Sequence, residues 1–160
     1  MSIRVAAQTE DFDVAAELAR LEALGGGGIA SFTGVVRGGE GLTALHLETY
    51  AAMTDRALAD IAAKAAVRWP LLGITLLHRH GTLAVGERIV LVATASRHRA
   101  AALESCAFLI DWAKTHAPFW KREIFADGAA RWVEAHAADE AATAGWAFED
   151  WEPSAEEGRP

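Results

Sequence analysis

Cysteine is almost absent from this chain: among its 160 residues only Cys106 carries a thiol. One thiol excludes an intrachain disulfide framework and any cysteine-rich zinc site, and it makes a reducing, cytoplasmic setting the expectation. Long apolar runs are missing too. None approaches the ~20 residues of a membrane-spanning helix, and the opening MSIRVAAQTEDFD places acids where a signal peptide has its apolar segment. A soluble, cytoplasmic protein is therefore expected. Basic charge is in the minority, 15 Lys and Arg against 22 Asp and Glu, for a formal charge of -7. Such a balance provides no broad basic face for neutralising nucleic-acid phosphates.

What is present suffices for a sizeable core. With 52% apolar residues, the chain reads as one domain over residues 1–148. Residues 149–160, with Glu149, Asp150, Glu152, Glu156 and Glu157, read as a mobile acidic tail, with Trp146 docking its base. Residues 3–8 read as a strand, and Asp13 as the cap of a helix over 14–24. Gly25 to Gly28 make a flexible break before a strand over 29–36. Arg37 then leads into a glycine turn. Leu45 and Leu47 alternate with His46 and Glu48 in a strand over 43–50. Thr54 reads as the cap of a helix over 55–68 with its stripe at Leu58, Ile61, Ala62, Ala65 and Trp69, stopped by Pro70. The runs 74–77 and 89–95 read as two central strands, and 131–135 as the last strand. This order gives an α+β fold with a mixed or antiparallel sheet and helices on one side.

The stretch 96–123, SRHRAAALESCAFLIDWAKTHAPFWKRE, is a cationic island on an acidic protein. Leu103, Cys106, Ala107, Ile110 and Ala113 keep helical spacing, and Pro118 ends the helix. Lys114 leaves the edge of that stripe, where desolvation would lower its pKa. His98 and Arg99 fall in the first helical turn, beside the positive end of the helix dipole. Cations are disfavoured there unless an anion binds, and free backbone N–H groups with an arginine fork make a phosphate or carboxylate site. The competing reading is a pair of solvated surface cations. His78, His80 and His98 raise the idea of a metal site, but the i, i+2 pair flanks Arg79, whose charge repels a cation.

Taken in order, FTGVVRGG (32–39), LETY (47–50), MTDRAL (53–58), HRHGTLAVGE (78–87), SRHRAAALESC (96–106), DWAKTHAPFWKRE (111–123) and RWVEA (131–135) resemble the large, catalytic subunit of molybdopterin synthase. The resemblance implies an α/β hammerhead-like fold with an additional small β subdomain. It also implies an enzyme that turns cyclic pyranopterin monophosphate into molybdopterin by installing two sulfur atoms as a dithiolene. The sulfur would arrive as a thiocarboxylate on the C-terminal Gly-Gly of a small ubiquitin-like subunit, within a heterotetramer built on a homodimer of the large subunit. Lys114 and Lys121 would be catalytic. Val35, Val36, Arg37, His98, Arg99, Arg122 and Glu123 would join them in binding substrate, with Glu123 orienting Lys121. No cofactor or metal is required, and Cys106 would be structural.

The chain departs from the family pattern in three places. His136 stands where relatives carry Arg after W-V-E-A, the loop GGEG after Arg37 is short, and His80 replaces an aliphatic residue. The alternative reading is a non-catalytic anion-binding or regulatory dimer of the same fold.

Overall fold

The computed structural model describes residues 1–134 and 137–146. Its elements are β1 (Ser2–Gln8), α1 (Val14–Glu22), β2 (Gly28–Val35), β3 (Leu42–Glu48), α2 (Ala51–Arg68), β4 (Leu71–Arg79), β5 (Gly81–Ala84), β6 (Arg88–Ser96), α3 (Arg99–His116), β7 (Trp120–Phe125), β8 (Ala130–Val133) and α4 (Ala137–Ala144). The strands form two sheets. The larger has the order β1-β4-β6-β2, with β1 parallel to β4 and the other pairs antiparallel. The smaller, β5-β3-β7-β8, is antiparallel throughout. This is the expected α+β class with an added small sheet. No described helix is long and apolar enough to cross a membrane.

β4 and β6 are the central strands, as their apolar runs suggest, and both of their faces are covered. Ile74, Leu76, Val90 and Val92 pack with Leu58, Ile61, Ala62 and Ala65 of α2 and with Ala102, Cys106, Leu109 and Trp112 of α3. Leu77 and Leu91 turn the other way onto Phe12, and Ala93 and Ala95 onto Leu21 of α1. The expectation of helices on one side is thus corrected. An unbroken apolar strand presents two apolar faces, and each needs a cover.

Helix ends and faces show where local signals compete with packing. Asp13 caps α1, its carboxylate accepting the Ala16 N–H at 3.0 Å. Thr54 does not cap α2, which begins at Ala51. Its side chain is fully buried and hydrogen-bonds the Thr49 hydroxyl, which donates to the Pro118 carbonyl at 2.9 Å. α3 is rotated from its expected face: Ala102, Ser105, Cys106, Leu109, Trp112 and Ala113 are buried, whereas Leu103 is 60% exposed and Ala107 is exposed. In an alanine-rich helix both stripes are apolar, and burying the bulk of Phe108 and Trp112 decides between them.

The glycine run before β2 permits close approach more than flexibility. A Cβ at Gly27 would stand 2.4 Å from the Arg97 carbonyl oxygen, and one at Gly28 3.2 Å from the Arg99 Cα. β2 therefore starts directly against the beginning of α3. Trp146 does dock, packing on Trp69 and Phe108 while its Nε1–H donates to Asp111 at 2.7 Å. Ala135, His136 and the acidic tail lie outside the described residues.

Candidate active site

The end of β2, the inner face of the smaller sheet, His78 of β4 and the last turns of α3 enclose an open cleft of about 1210 Å³. Its cationic side chains are Arg37, Lys114, Lys121 and Arg131. β7 decides which of its residues reach this space. Lys121, Glu123 and Phe125 line the cleft. Arg122, one residue out of phase, lies on the opposite face, its guanidinium 5.5 Å from the Trp132 ring. Its Nε is sealed from solvent and has no hydrogen-bond partner among the described residues.

The desolvated lysine is Lys121 rather than Lys114. Burial pushes the Lys121 ammonium below its ordinary range and the charge of Lys114 pushes the same way, opposed by Asp139 and Glu123. Lys114 has a half-exposed side chain, and its Nζ lies 3.6 Å from an Asp139 carboxylate oxygen. It sits past the buried stripe at the C-terminal end of α3, so its long stem carries the ammonium toward the cleft while α4 supplies the counter-charge. Glu123 does not hold Lys121 directly; it accepts a 2.8 Å bond from Arg131 Nη2.

The remaining expected site residues divide into two groups. Arg37 and Val35 line the cleft at the exit of β2, beside the turn in which Gly39, Glu40 and Gly41 all have positive φ. The Val36 side chain is instead buried with Leu45, Leu47 and Leu83, and its backbone pairs with Gly86 and Glu87. His98 and Arg99 stand exposed at the far end of α3, where His98 is the N-cap residue but makes no side-chain capping bond. They do not line the cleft of their own chain. Among the described residues no three potential ligands converge as a metal site would need, His78, His80 and His98 included.

Sequence reasoning missed His78 and Asp139 as neighbours of the lysines. His78 lies on the cleft wall, its ring stacked on Phe119 with centroids 3.8 Å apart and planes at 22°. Its Nδ1–H donates to the Arg79 carbonyl at 2.9 Å. Burial pushes the imidazole down to about 4; the Arg79 bond works against this, and the charges of Lys121 and His80 add to it. The alternation Ile74, Leu76, His78 on β4 would have pointed to this face. Asp139 had no sequence signal, since α4 was not anticipated.

The family model described as "MoaE protein" matches residues 7–116. A molybdopterin synthase catalytic subunit from Mesorhizobium japonicum is 48% identical over 143 residues, 87% of this chain and 90% of that protein. The corresponding protein of Brucella melitensis is 46% identical over 148 residues, 90% of this chain and 91% of its own length. Among solved structures, a molybdopterin biosynthesis MoaE protein from Burkholderia ambifaria superposes with a TM-score of 0.76 at 46% identity, covering 92% of this chain and 99% of that one.

Proposed function

The chain belongs to the MoaE family, and from that premise we propose that its cleft carries out the sulfur transfer that makes the molybdopterin dithiolene. The substrate is cyclic pyranopterin monophosphate. The sulfur donor is the C-terminal Gly-Gly thiocarboxylate of a small ubiquitin-like partner subunit, and the setting is the cytoplasm. The observation that carries this reading is the lysine pair: Lys121 desolvated on the inner face of β7, with Lys114 beside it on α3.

Each lysine has a distinct task. A thiocarboxylate and a phosphate both bring negative charge into the cleft, and Lys114 and Arg37 offset it. Lys121, whose affinity for its proton is weakened by burial, is suited to give and take a proton during transfer. Sulfur delivered by a partner explains why Cys106 takes no part. Its thiol is buried against the Val92 carbonyl, and burial raises its pKa to about 11, away from the reactive thiolate.

His98 and Arg99 enter through a second copy of the chain. Along α3, Arg99 and Lys114 are fifteen positions apart, about 22 Å at 1.5 Å per residue. One protomer cannot close both onto one small ligand, whereas a symmetric dimer can present the helix start of one protomer to the cleft of its partner. Val36 and Arg122 act from behind in this reading, Val36 by fixing the β2 exit below Arg37 and Arg122 from the outer face of β7.

The test is conversion of the cyclic precursor by purified protein mixed with thiocarboxylated small subunit. Dithiolene product is expected. A stable complex that forms no product would favour a non-catalytic binding dimer instead.

A further inference from the structure

The cleft's cations recognise an anion, but a pterin also presents ring N–H groups, and these need acceptors. The cleft's carboxylates are charged acceptors: Asp139 is paired with Lys114 and Glu123 with Arg131, and Glu40, Glu134 and Glu140 also line it. His78 supplies an acceptor of another kind. Its Nδ1 must carry the proton because it donates to the Arg79 carbonyl, so in the neutral ring Nε2 bears a free lone pair. Among the described residues nothing hydrogen-bonds Nε2, and it is not one of the side-chain atoms sealed away from solvent. The stack on Phe119 holds the ring plane, and the same two side chains line the cleft beside Lys121.

We propose that His78 is a specificity-determining residue of this cleft, its Nε2 accepting a hydrogen bond from a ring N–H of the pterin. The proposal rests on the substrate reading given above. The ring is well suited to the part: burial, with Lys121 facing it from β7 and His80 following on its own chain, keeps it neutral and an acceptor. A protonated imidazole would have two donors and no lone pair to offer. A fixed, neutral acceptor beside the Lys121 ammonium distinguishes a heterocycle bearing N–H groups from any other phosphate ester of similar size.

Calorimetric titration of the dimeric protein with cyclic pyranopterin monophosphate, and separately with inorganic phosphate, tests this. His78→Phe keeps an aromatic ring against Phe119 and removes the acceptor. Its dissociation constant for the pterin should rise about 3- to 10-fold, the loss of one neutral hydrogen bond, with phosphate binding unchanged. His78→Gln, which restores an acceptor oxygen, should recover part of the loss. Equal affinity of wild type and His78→Phe for the pterin, or parallel loss of pterin and phosphate, would overturn the proposal. Nitrogen-15 NMR of the wild type gives an answer free of any folding defect: the Nε2 resonance should shift upfield on adding the pterin and stay put with phosphate, and an unmoved resonance at saturating pterin would overturn the assignment. A wild type that binds phosphate but no pterin would overturn the substrate reading itself, a failure visible before any variant is compared.

Discussion

Two lysines seven residues apart in sequence differ because one ends a helix and the other sits on a strand facing a cleft. The like charge of Lys114 is one reason the Lys121 ammonium is disfavoured. Removing it with Lys114→Met should therefore raise the Lys121 pKa, measurable by NMR titration of the side-chain resonances; an unchanged or lower value would contradict the coupling. His78 provides a second titration. Its folded value of about 4 lies below the ordinary 6.5. As pH falls through 6.5 the unfolded chain takes up a proton that the folded chain refuses until about 4, so His78 lowers stability progressively across that window and adds no further loss below it. Urea denaturation of His78→Phe from pH 7 to pH 4 should accordingly show a shallower acid decline than wild type. Lys114 stood out from the sequence as a cation at the edge of an apolar stripe, whereas Lys121 and Arg37 were assigned to the site through the family resemblance. Desolvation at Lys121 was not legible, since burial depends on β3 and β8 flanking it.

At the scale of elements, the period of each segment decides who meets whom. Residues 121–123 were grouped as one pocket segment through the family resemblance, with no strand expected there. Once β7 forms, Arg122 must leave the face that Lys121 and Glu123 share. The apolar stripe of α3 was misplaced by a similar route: local spacing favoured Leu103 and Ala107, and only the position of the sheet selects Leu109 and Trp112. This yields a direct contrast. Leu109→Ala, at a fully buried position, should cost about 2–5 kcal/mol in urea unfolding, whereas Leu103→Ala, at a 60% exposed one, should stay within about 0.5 kcal/mol. A larger loss for Leu103→Ala than for Leu109→Ala would mean that α3 faces the core as its local spacing suggests. The central strands, the Asp13 cap and the α2 stripe were readable because there local propensity and tertiary packing agree.

At the scale of the molecule, His98 and Arg99 at the start of α3 and the lysine cleft at its end lie far apart, and the proposed enzyme is complete only as a dimer. If each site draws Arg99 from one protomer and Lys114 from the other, Arg99→Ala and Lys114→Ala homodimers should both be nearly inactive. After subunit exchange, mixed dimers carry one site with both changes and one with neither, so activity should recover to about a quarter of wild type. No recovery would place Arg99 outside the partner's site. The resemblance implied the assembly, and the separation of Arg99 from Lys114 along α3 is what the mixed-dimer experiment probes.

The most direct measurement of sulfur transfer at this cleft is the rate of dithiolene formation by Lys114→Ala and Lys121→Ala, each mixed with the cyclic precursor and an excess of thiocarboxylated small subunit, since two donors are consumed for every dithiolene formed. Both variants should keep the fold and the complex while dithiolene formation falls by about 10²–10⁴-fold, the range for loss of a group that moves protons or stabilises charge at the reacting centre. Wild-type rates in both variants would contradict the account and place the chemistry elsewhere in the chain.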